Sequence, residues 1–474
     1  MRTLRLVLAL LALGSPAAAG DPQRPNVVVI LADDVGWRDV GHAGSRYPTP
    51  AIDRLASEGL TFTRAYAAAP SCSPTRAALL TGRHPARLGL THAIRNRDYL
   101  LAREPAPVRP QPRRKYLVTP SATHLPEDAP TIAARLEAAG YATGFVGKWH
   151  LGEPPHGPGA HGFGWARDVG FYSASPYFQP WMVANPGEGQ ETYLTDRITA
   201  DAVEFLRENR ERPFFLWVSH FAVHGPWEAK PEEIARLEGL VDADSDQPSA
   251  LYGAMLASLD QSVGAITEEI DRLGLGERTL VLFTSDNGPR LEKNEPLTST
   301  APLRGGKEEL YEGGLRIPLV ARWPGTISAG GSTAFPWVSM DLYPTVLELT
   351  GLERAASEAP DGLDLTRILR GESAPAEPRT LLFHVPHPPH RSALLIGDTK
   401  LVHRYDGPDE LFDLATDPGE AHDLAGERTE DVRALREALL RRLAAMGARM
   451  PVPNPGYDPS LAPVDRDSGE DDED

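Results

Sequence analysis

The sequence predicts an α/β protein: a large mixed, mostly parallel sheet sandwiched by helices, followed by a small C-terminal antiparallel sheet with a helix. Three observations lead there. Continuous apolar, β-branched or aromatic runs at 26–32, 213–219 and 279–284 read as strands buried on both faces, the pattern of a parallel sheet. Helical periodicities lie between them, as strand–helix–strand units require. Past a Ser-, Ala-, Pro- and Glu-rich boundary at 372–378, the apolar segments become short and closely spaced, as in an antiparallel meander.

A chain of 474 residues suffices for one large domain and a small one. Its 41% hydrophobic and 24% charged content is ordinary for a soluble globular protein. A net charge of -18 disfavours non-specific binding to nucleic acid or to an anionic membrane. An anionic substrate therefore needs a local positive pocket. Residues 1–20 read as a secretory signal peptide: Arg2 and Arg5, the apolar run Leu6 to Leu13, then Ala17-Ala18-Ala19. The run is too short for stable membrane insertion as a mature helix; an uncleaved anchor is the alternative. The expected location is outside the cytoplasm, periplasmic or secreted. The expected organisation is residues 21–375 as a main domain, 376–452 as the C-terminal sheet and helix, and 453–474 as an acidic disordered tail.

Taken in order, the first strand ends in Asp33-Asp34, then Gly36. Two carboxylates at the C-terminal edge of a central strand lie where α/β folds place ligands. Side by side they raise each other's pKa unless a cation neutralises them, and oxygen ligands suit Ca²⁺ or Mg²⁺; a solvated turn is the alternative. Thr49 to Gly59 has helical spacing, and Leu60 to Tyr66 reads as a strand. Next comes Ser71-Cys72-Ser73-Pro74-Thr75-Arg76, with the single cysteine of the chain. It has no internal disulfide partner. Turn and cap residues surround it, and a helix closed by Gly82 follows, so Cys72 sits at a helix N-terminus. Arg76 lies one turn on, along the same face. Electropositive, exposed settings of this kind mark reactive cysteines; a buried small residue is the alternative.

Residues 98–120 crowd prolines with Arg103, Arg109, Arg113, Arg114 and Lys115, a long loop that either meets an anionic substrate or is a solvated insertion. A helix at 130–140 and a strand at 143–147 deliver Lys148-Trp149-His150; on a strand, Lys148 and His150 point to one side. A helix at 196–208 precedes the strand 213–219, which runs into His220 and His224. Such a pair is able to bind zinc, but no cysteine or third histidine supports that. The long amphipathic helix 250–273 precedes the strand 279–284 and its polar end Ser285-Asp286-Asn287-Gly288. Leu303 to Lys307 and Glu312 to Pro318 follow, then a strand at 319–323. Short strands at 393–396, 400–403 and 410–413 and a helix at 430–446 close the fold. His384, His387 and His390 read as a proline-rich loop, either facing substrate or incidental.

Cys72-Ser73-Pro74-Thr75-Arg76 resembles the C-x-P-x-R signature of the type I, formylglycine-dependent sulfatases of the alkaline phosphatase superfamily. Asp33-Asp34, Gly147-Lys148-Trp149-His150-Leu151-Gly152, the Ala222-Val223-His224 block, Asp286-Asn287 and Lys307 resemble further blocks of that family in order and spacing. The resemblance spans about 26–425 and implies an alkaline-phosphatase-like fold. It also implies a cysteine converted to formylglycine by a maturation enzyme, and a divalent ion (Ca²⁺, with Mg²⁺ possible) on Asp33, Asp34, Asp286, Asn287 and residue 72. Lys148, His224 and Lys307 would meet the sulfate, Arg76 would fix the nucleophile, His224 or Lys148 would protonate the leaving oxygen, and His150 is a candidate base. The implied substrates are sulfated glycans, with aryl sulfates as surrogates. A phosphodiesterase or phosphonate monoester hydrolase on the same scaffold is the alternative, and a non-catalytic glycan-binding homologue a further one.

Overall fold

The computed structural model describes residues 24–94, 112–117, 119–172, 174–186, 192–242, 245–292, 294, 296–354, 358 and 361–461. The signal-peptide reading of 1–20, most of the basic loop 98–120 and the acidic end of the tail lie outside them.

Strand β1 (Asn26–Ala32) is the centre of the molecule, and every residue in it is buried. The main sheet has the order β5-β4-β6-β1-β7-β8-β2-β9, made of β2 (Leu60–Phe62), β4 (Ala142–Lys148), β5 (Trp165–Gly170), β6 (Phe214–Ser219), β7 (Thr279–Ser285), β8 (Leu319–Arg322) and β9 (Gly331–Thr333) with β1. β5, β4, β6, β1 and β7 are mutually parallel, and β8 pairs antiparallel to β7 and to β2. The sheet is therefore mixed but mostly parallel. The expected strand 60–66 is two pieces: β2 stays in this sheet, while β3 (Ala65–Tyr66) leaves it to pair with β10 (Trp337–Val338).

Side chains alternate across a strand, so β1 feeds two cores. Val27, Val29 and Leu31, with Phe215, Trp217, Leu280 and Leu282, pack toward α2 (Cys72–Thr81), α4 (Ile132–Ala138) and α9 (Leu342–Leu349). Val28 and Ile30, with Leu216, Val218, Val281 and Phe283, pack toward α1 (Pro50–Ser57), α5 (Leu194–Asn209) and α7 (Ala250–Arg272). Helices cover both faces, which is why these strands carry unbroken apolar runs. The short helices α3 (Pro85–Leu88), α6 (Pro231–Glu238), α8 (Glu312–Leu315) and α10 (Thr366–Leu369) complete the main layer.

A separate antiparallel sheet, β11-β12-β13-β14, holds β11 (Thr380–Val385), β12 (Arg391–Ile396), β13 (Thr399–Arg404) and β14 (Glu410–Asp413). Helix α11 (Thr429–Ala445) covers its outer face through Leu439 and Leu443. The expected loop at 384 is corrected here: His384 lies inside β11, buried, with Nδ1 2.7 Å from Ser392 Oγ and Nε2 2.9 Å from the Arg449 carbonyl. Residues 452–458 fold back on 112–117, with Leu117, Asn454 and Asp458 N–H groups donating to the carbonyls of Val452, Lys115 and Pro112. Among the described residues, no helix is long and apolar enough to cross a membrane.

Candidate active site

Parallel strands send their C-terminal ends to one edge of a sheet, and ligands bind there where the strand order turns back on itself. β1 has β6 on one side and β7 on the other. Asp33-Asp34 leave β1, Lys148 ends β4, His220 and His224 follow β6, and Asp286-Asn287 follow β7. Four adjacent strands thus bring to one edge residues up to 254 positions apart.

Asp34 turns out of the strand with φ 61°, and its N–H donates to Asp286 Oδ1 at 3.2 Å. Helix α2 begins at Cys72 after an extended Ser71, and ends at Gly82 with φ 64°, the left-handed close that glycine favours. Sγ of Cys72 is 3.5 Å from Asp33 Oδ1 and 3.9 Å from Lys148 Nζ. Ligand atoms of Asp33, Asp34, Cys72 and His224 all lie within 4.8 Å of one another. The expected exposed setting of Cys72 is corrected: the residue is 1% exposed. Burial, then the charges of Asp286 and Asp33, push its thiol well above the usual range. An unmodified thiol here is protonated, hence a poor nucleophile.

The cations are spent on the carboxylates. Arg76 places Nε 2.9 Å and Nη2 2.7 Å from Asp286 Oδ2, and Nη2 3.3 Å from Asp33 Oδ2. Its Nη1 donates to the Lys148 carbonyl at 2.8 Å and to Ser219 Oγ at 2.6 Å. Lys148 Nζ bonds Asp33 Oδ2, and Lys307 Nζ donates to Asp34 Oδ2 at 2.9 Å. Burial alone would raise Asp34, but the Lys307 ammonium holds its carboxyl well below the ordinary range; Lys307 is raised in turn by Asp34 against its own burial. Asp286 is raised by burial and by Asp33, against Arg76.

His224 Nδ1 stands 2.7 Å from the Gly225 carbonyl, so the N–H is there, and Nε2 faces Asp34 Oδ2 at 3.9 Å. Burial, then Lys307 and Lys148, push it down to about 3, so the ring is neutral. The shared side expected for Lys148 and His150 does not follow from alternation, because β4 ends at Lys148 and His150 has φ 53°. His150 is nonetheless buried beside the cluster. Its Nε2 donates to the Ile94 carbonyl at 2.6 Å, and its buried Nδ1 has no hydrogen-bond partner. Burial, then Lys148, lower its pKa well below the usual value. His220 is elsewhere, with Nε2 3.0 Å from Ser262 Oγ, which removes the zinc pairing with His224. Asn287 Nδ2 donates to Asp34 Oδ1 at 2.6 Å, while its Oδ1 is buried with no partner.

Sequence reasoning passed over the small polar residues that hold this arrangement. Ser219 Oγ donates to the Lys148 carbonyl at 2.7 Å, Ser73 Oγ donates to the His150 carbonyl at 2.8 Å, and Tyr177 OH donates to the His224 carbonyl at 2.8 Å. Ser219 carried a signal, being the polar end of an apolar strand; Tyr177 carried none.

The family description Sulfatase matches residues 25–352, and N-sulphoglucosamine sulphohydrolase, C-terminal, matches 306–448. The chain is 31% identical to a steryl-sulfatase of Rattus norvegicus, over 89% of each chain. It is 36% identical to an N-acetylgalactosamine-6-sulfatase of Mus musculus, over 78% of this chain and 70% of the relative. A crystal structure of Ps i-CgsB in complex with k-i-k-neocarrahexaose superposes with a TM-score of 0.76 at 29% identity, covering 89% of this chain and 93% of that one. The match over most of the chain agrees with the acid, cysteine and lysine geometry at the strand edge: this chain belongs to the sulfatase family, enzymes that hydrolyse sulfate esters.

Proposed function

We propose that this sulfatase is an exported enzyme acting on sulfated carbohydrates, with formylglycine made from Cys72 and a bound Ca²⁺, Mg²⁺ being the next choice. The observation that carries the reading is the convergence of buried Asp33, Asp34 and Cys72 with the half-buried His224 within 4.8 Å, with Lys148 and Lys307 on its carboxylates. The donor set fits a hard cation: three buried carboxylates, counting Asp286, and the unpartnered Asn287 Oδ1. Asp33, Asp34, Asp286 and Asn287 would hold the ion, with residue 72 at its edge. Bound there, a divalent ion supplies charge neutralisation for sulfate oxygens and lowers the pKa of a nearby hydroxyl. Formylglycine at position 72 would supply that hydroxyl.

The chain's own residues do the rest. Lys148 and Lys307 donate to sulfate oxygens and meet the charge that grows in the transition state. Arg76 fixes Asp33 and Asp286 through its guanidinium. Lys148 carries a proton for the leaving oxygen. His224 is neutral before substrate arrives, so a proton it donates must be loaded as the anion enters. His150 presents a bare Nδ1 lone pair able to take a proton from a hydroxyl at position 72.

Carbohydrate substrates are supported by the relative named for N-acetylgalactosamine 6-sulfate and by the neighbour crystallised with an oligosaccharide. The steryl-sulfatase relative favours sterol sulfates as a second reading. A product screen on purified protein decides: defined sulfated sugars, a steroid sulfate, an aryl sulfate and a matching phosphodiester. Release from sugars alone supports the proposal. Preference for the steroid replaces the substrate class, and preference for the phosphodiester replaces the reaction.

A further inference from the structure

Lys400 lies on β13, outside the catalytic edge, and is fully buried. A lysine so placed must have its charge balanced. Its Nζ is 2.9 Å from Glu312 Oε1 and 2.8 Å from Glu420 Oε1. Glu312 Oε2 also accepts from Tyr66 OH and from Arg316 Nε, each at 3.0 Å, and Glu420 Oε2 accepts from the Glu312 N–H at 2.6 Å. Lys400, Glu312 and Glu420 thus form a buried cluster where the C-terminal sheet meets the main domain, with the half-buried Arg316 at its edge.

Glu312 opens α8, whose next two residues are Gly313 and Gly314. These touch both neighbouring loops of the site. The Gly313 N–H donates to the Arg304 carbonyl at 2.8 Å, and the Gly288 N–H donates to the Gly314 carbonyl at 3.0 Å. A Cβ on Gly313 would stand 2.1 Å from the Gly305 carbonyl oxygen, one on Gly314 2.2 Å from that of Gly306, and one on Gly288 2.0 Å from that of Gly313. Only backbone fits in the seam. Gly288 follows Asn287, and Arg304 to Gly306 lead into Lys307. Beyond it the Lys307 and Glu308 N–H groups donate to Pro289 and Pro70 carbonyls at 2.9 and 2.7 Å, the latter two residues before Cys72. The C-terminal region holds the same loop from outside: Arg304 Nη1 donates to the Glu420 carbonyl at 3.4 Å, and its guanidinium lies 5.9 Å from the Phe412 ring of β14 and 3.8 Å over Tyr311.

We infer that Lys400 is a positioning residue for sulfate-ester hydrolysis: by fixing Glu312 it sets the seam of α8 against the loops that carry Asn287 and Lys307, so the C-terminal sheet is part of the catalytic apparatus.

The test uses the full chain with its Cys72 conversion measured by peptide mass. Lys400→Met keeps length and removes the charge. Lys400→Met combined with Glu420→Gln removes one charge of each sign, and is read instead if the single variant does not fold. Leu439→Ala loosens the opposite face of the same sheet, under α11. At a temperature well below each melting point, we expect kcat for an aryl sulfate to fall about 10–100-fold in the Lys400 variants at equal conversion, as second-layer support changes do. Lys400→Arg should recover part of it, and Leu439→Ala should keep kcat within about twofold while lowering Tm. The rise in Tm on adding calcium should shrink in the Lys400 variants only. A folded Lys400 variant with wild-type kcat overturns the inference, as does an equal kcat loss in Leu439→Ala. The kcat arm rests on sulfatase activity alone. If the wild type shows no calcium-induced shift, the metal reading fails and the kcat arm still decides.

Discussion

Arg76 and Asp286 are 210 residues apart, yet Nε and Nη2 of the one stand 2.9 and 2.7 Å from a single oxygen, Oδ2, of the other. The second oxygen of Asp286 accepts the Asp34 N–H. One guanidinium therefore ties the helix that starts at Cys72 to the ends of β1 and β7. Its charge faces two carboxylates that are themselves buried.

A lysine in that place retains the charge without the fork. Arg76→Lys should lower kcat by about 100-fold or more at equal Cys72 conversion. Arg76→Ala should also lose roughly 3–5 kcal/mol of stability, because it strands buried carboxylates. Peptide mass, kcat and urea unfolding separate the three effects. Unchanged kcat in converted Arg76→Lys would remove the bracing role.

Lys307 pairs with Asp34, and in the proposed mechanism it turns to the sulfate when substrate enters. Lys307→Ala should cut kcat about 100–1,000-fold, as loss of a transition-state donor does. With calcium present to neutralise Asp34, Tm should change little. Parallel loss of folding and activity would make Lys307 structural.

Chelation should abolish activity, and calcium should restore it better than zinc, since Asp33, Asp34, Asp286 and Asn287 offer hard oxygens. Metal content and activity measured together check this. Full turnover in metal-free protein would overturn the carboxylate assignment.

Burial and the charges of Asp286 and Asp33 keep the unmodified Cys72 thiol protonated. Active protein should show a mass loss at the Cys72 peptide matching thiol-to-aldehyde conversion, and specific activity should rise in proportion to the converted fraction. Cys72→Ala should be inactive and folded. A fully unconverted preparation hydrolysing sulfate esters at full rate would replace the formylglycine mechanism.

Away from the site, Arg197 Nη2 lies 2.6 Å from Asp201 Oδ1 and Nε 3.5 Å from Asp168 Oδ2, all three residues buried. Two carboxylates share one guanidinium. Burial and then Asp168 raise Asp201 to about 7. The folded state thus holds a proton that the unfolded chain releases near pH 4. Stability from this pair is complete below that pH and is lost as pH rises through about 7. The loss is roughly 1–4 kcal/mol. Tm measured from pH 5 to 8 should fall with pH in the wild type and should fall less in Asp201→Asn. Equal slopes would place the proton elsewhere.

The sequence by itself determined the strands and their ends. β1, β6 and β7 are unbroken apolar runs because both sheet faces are covered, and each stops at polar residues because the edge is where the chain meets ligand. The helix that starts at Cys72 was legible from its turn residues and Gly82. Short-range rules cannot fix a strand whose partners come from elsewhere. The segment 60–66 splits between two sheets, and β11 carries prolines and histidines just past its end that mimic a loop. Tertiary structure alone decided the electrostatics. Whether Cys72 is an exposed thiolate or a buried thiol depends on Asp33, Asp286 and Lys148, up to 214 residues away in sequence. Burial reduces the screening between them, so the charges act on one another more strongly than they would at the surface. The same holds for Lys400, which in sequence is an ordinary strand lysine and in the fold is the buried counter-charge of Glu312.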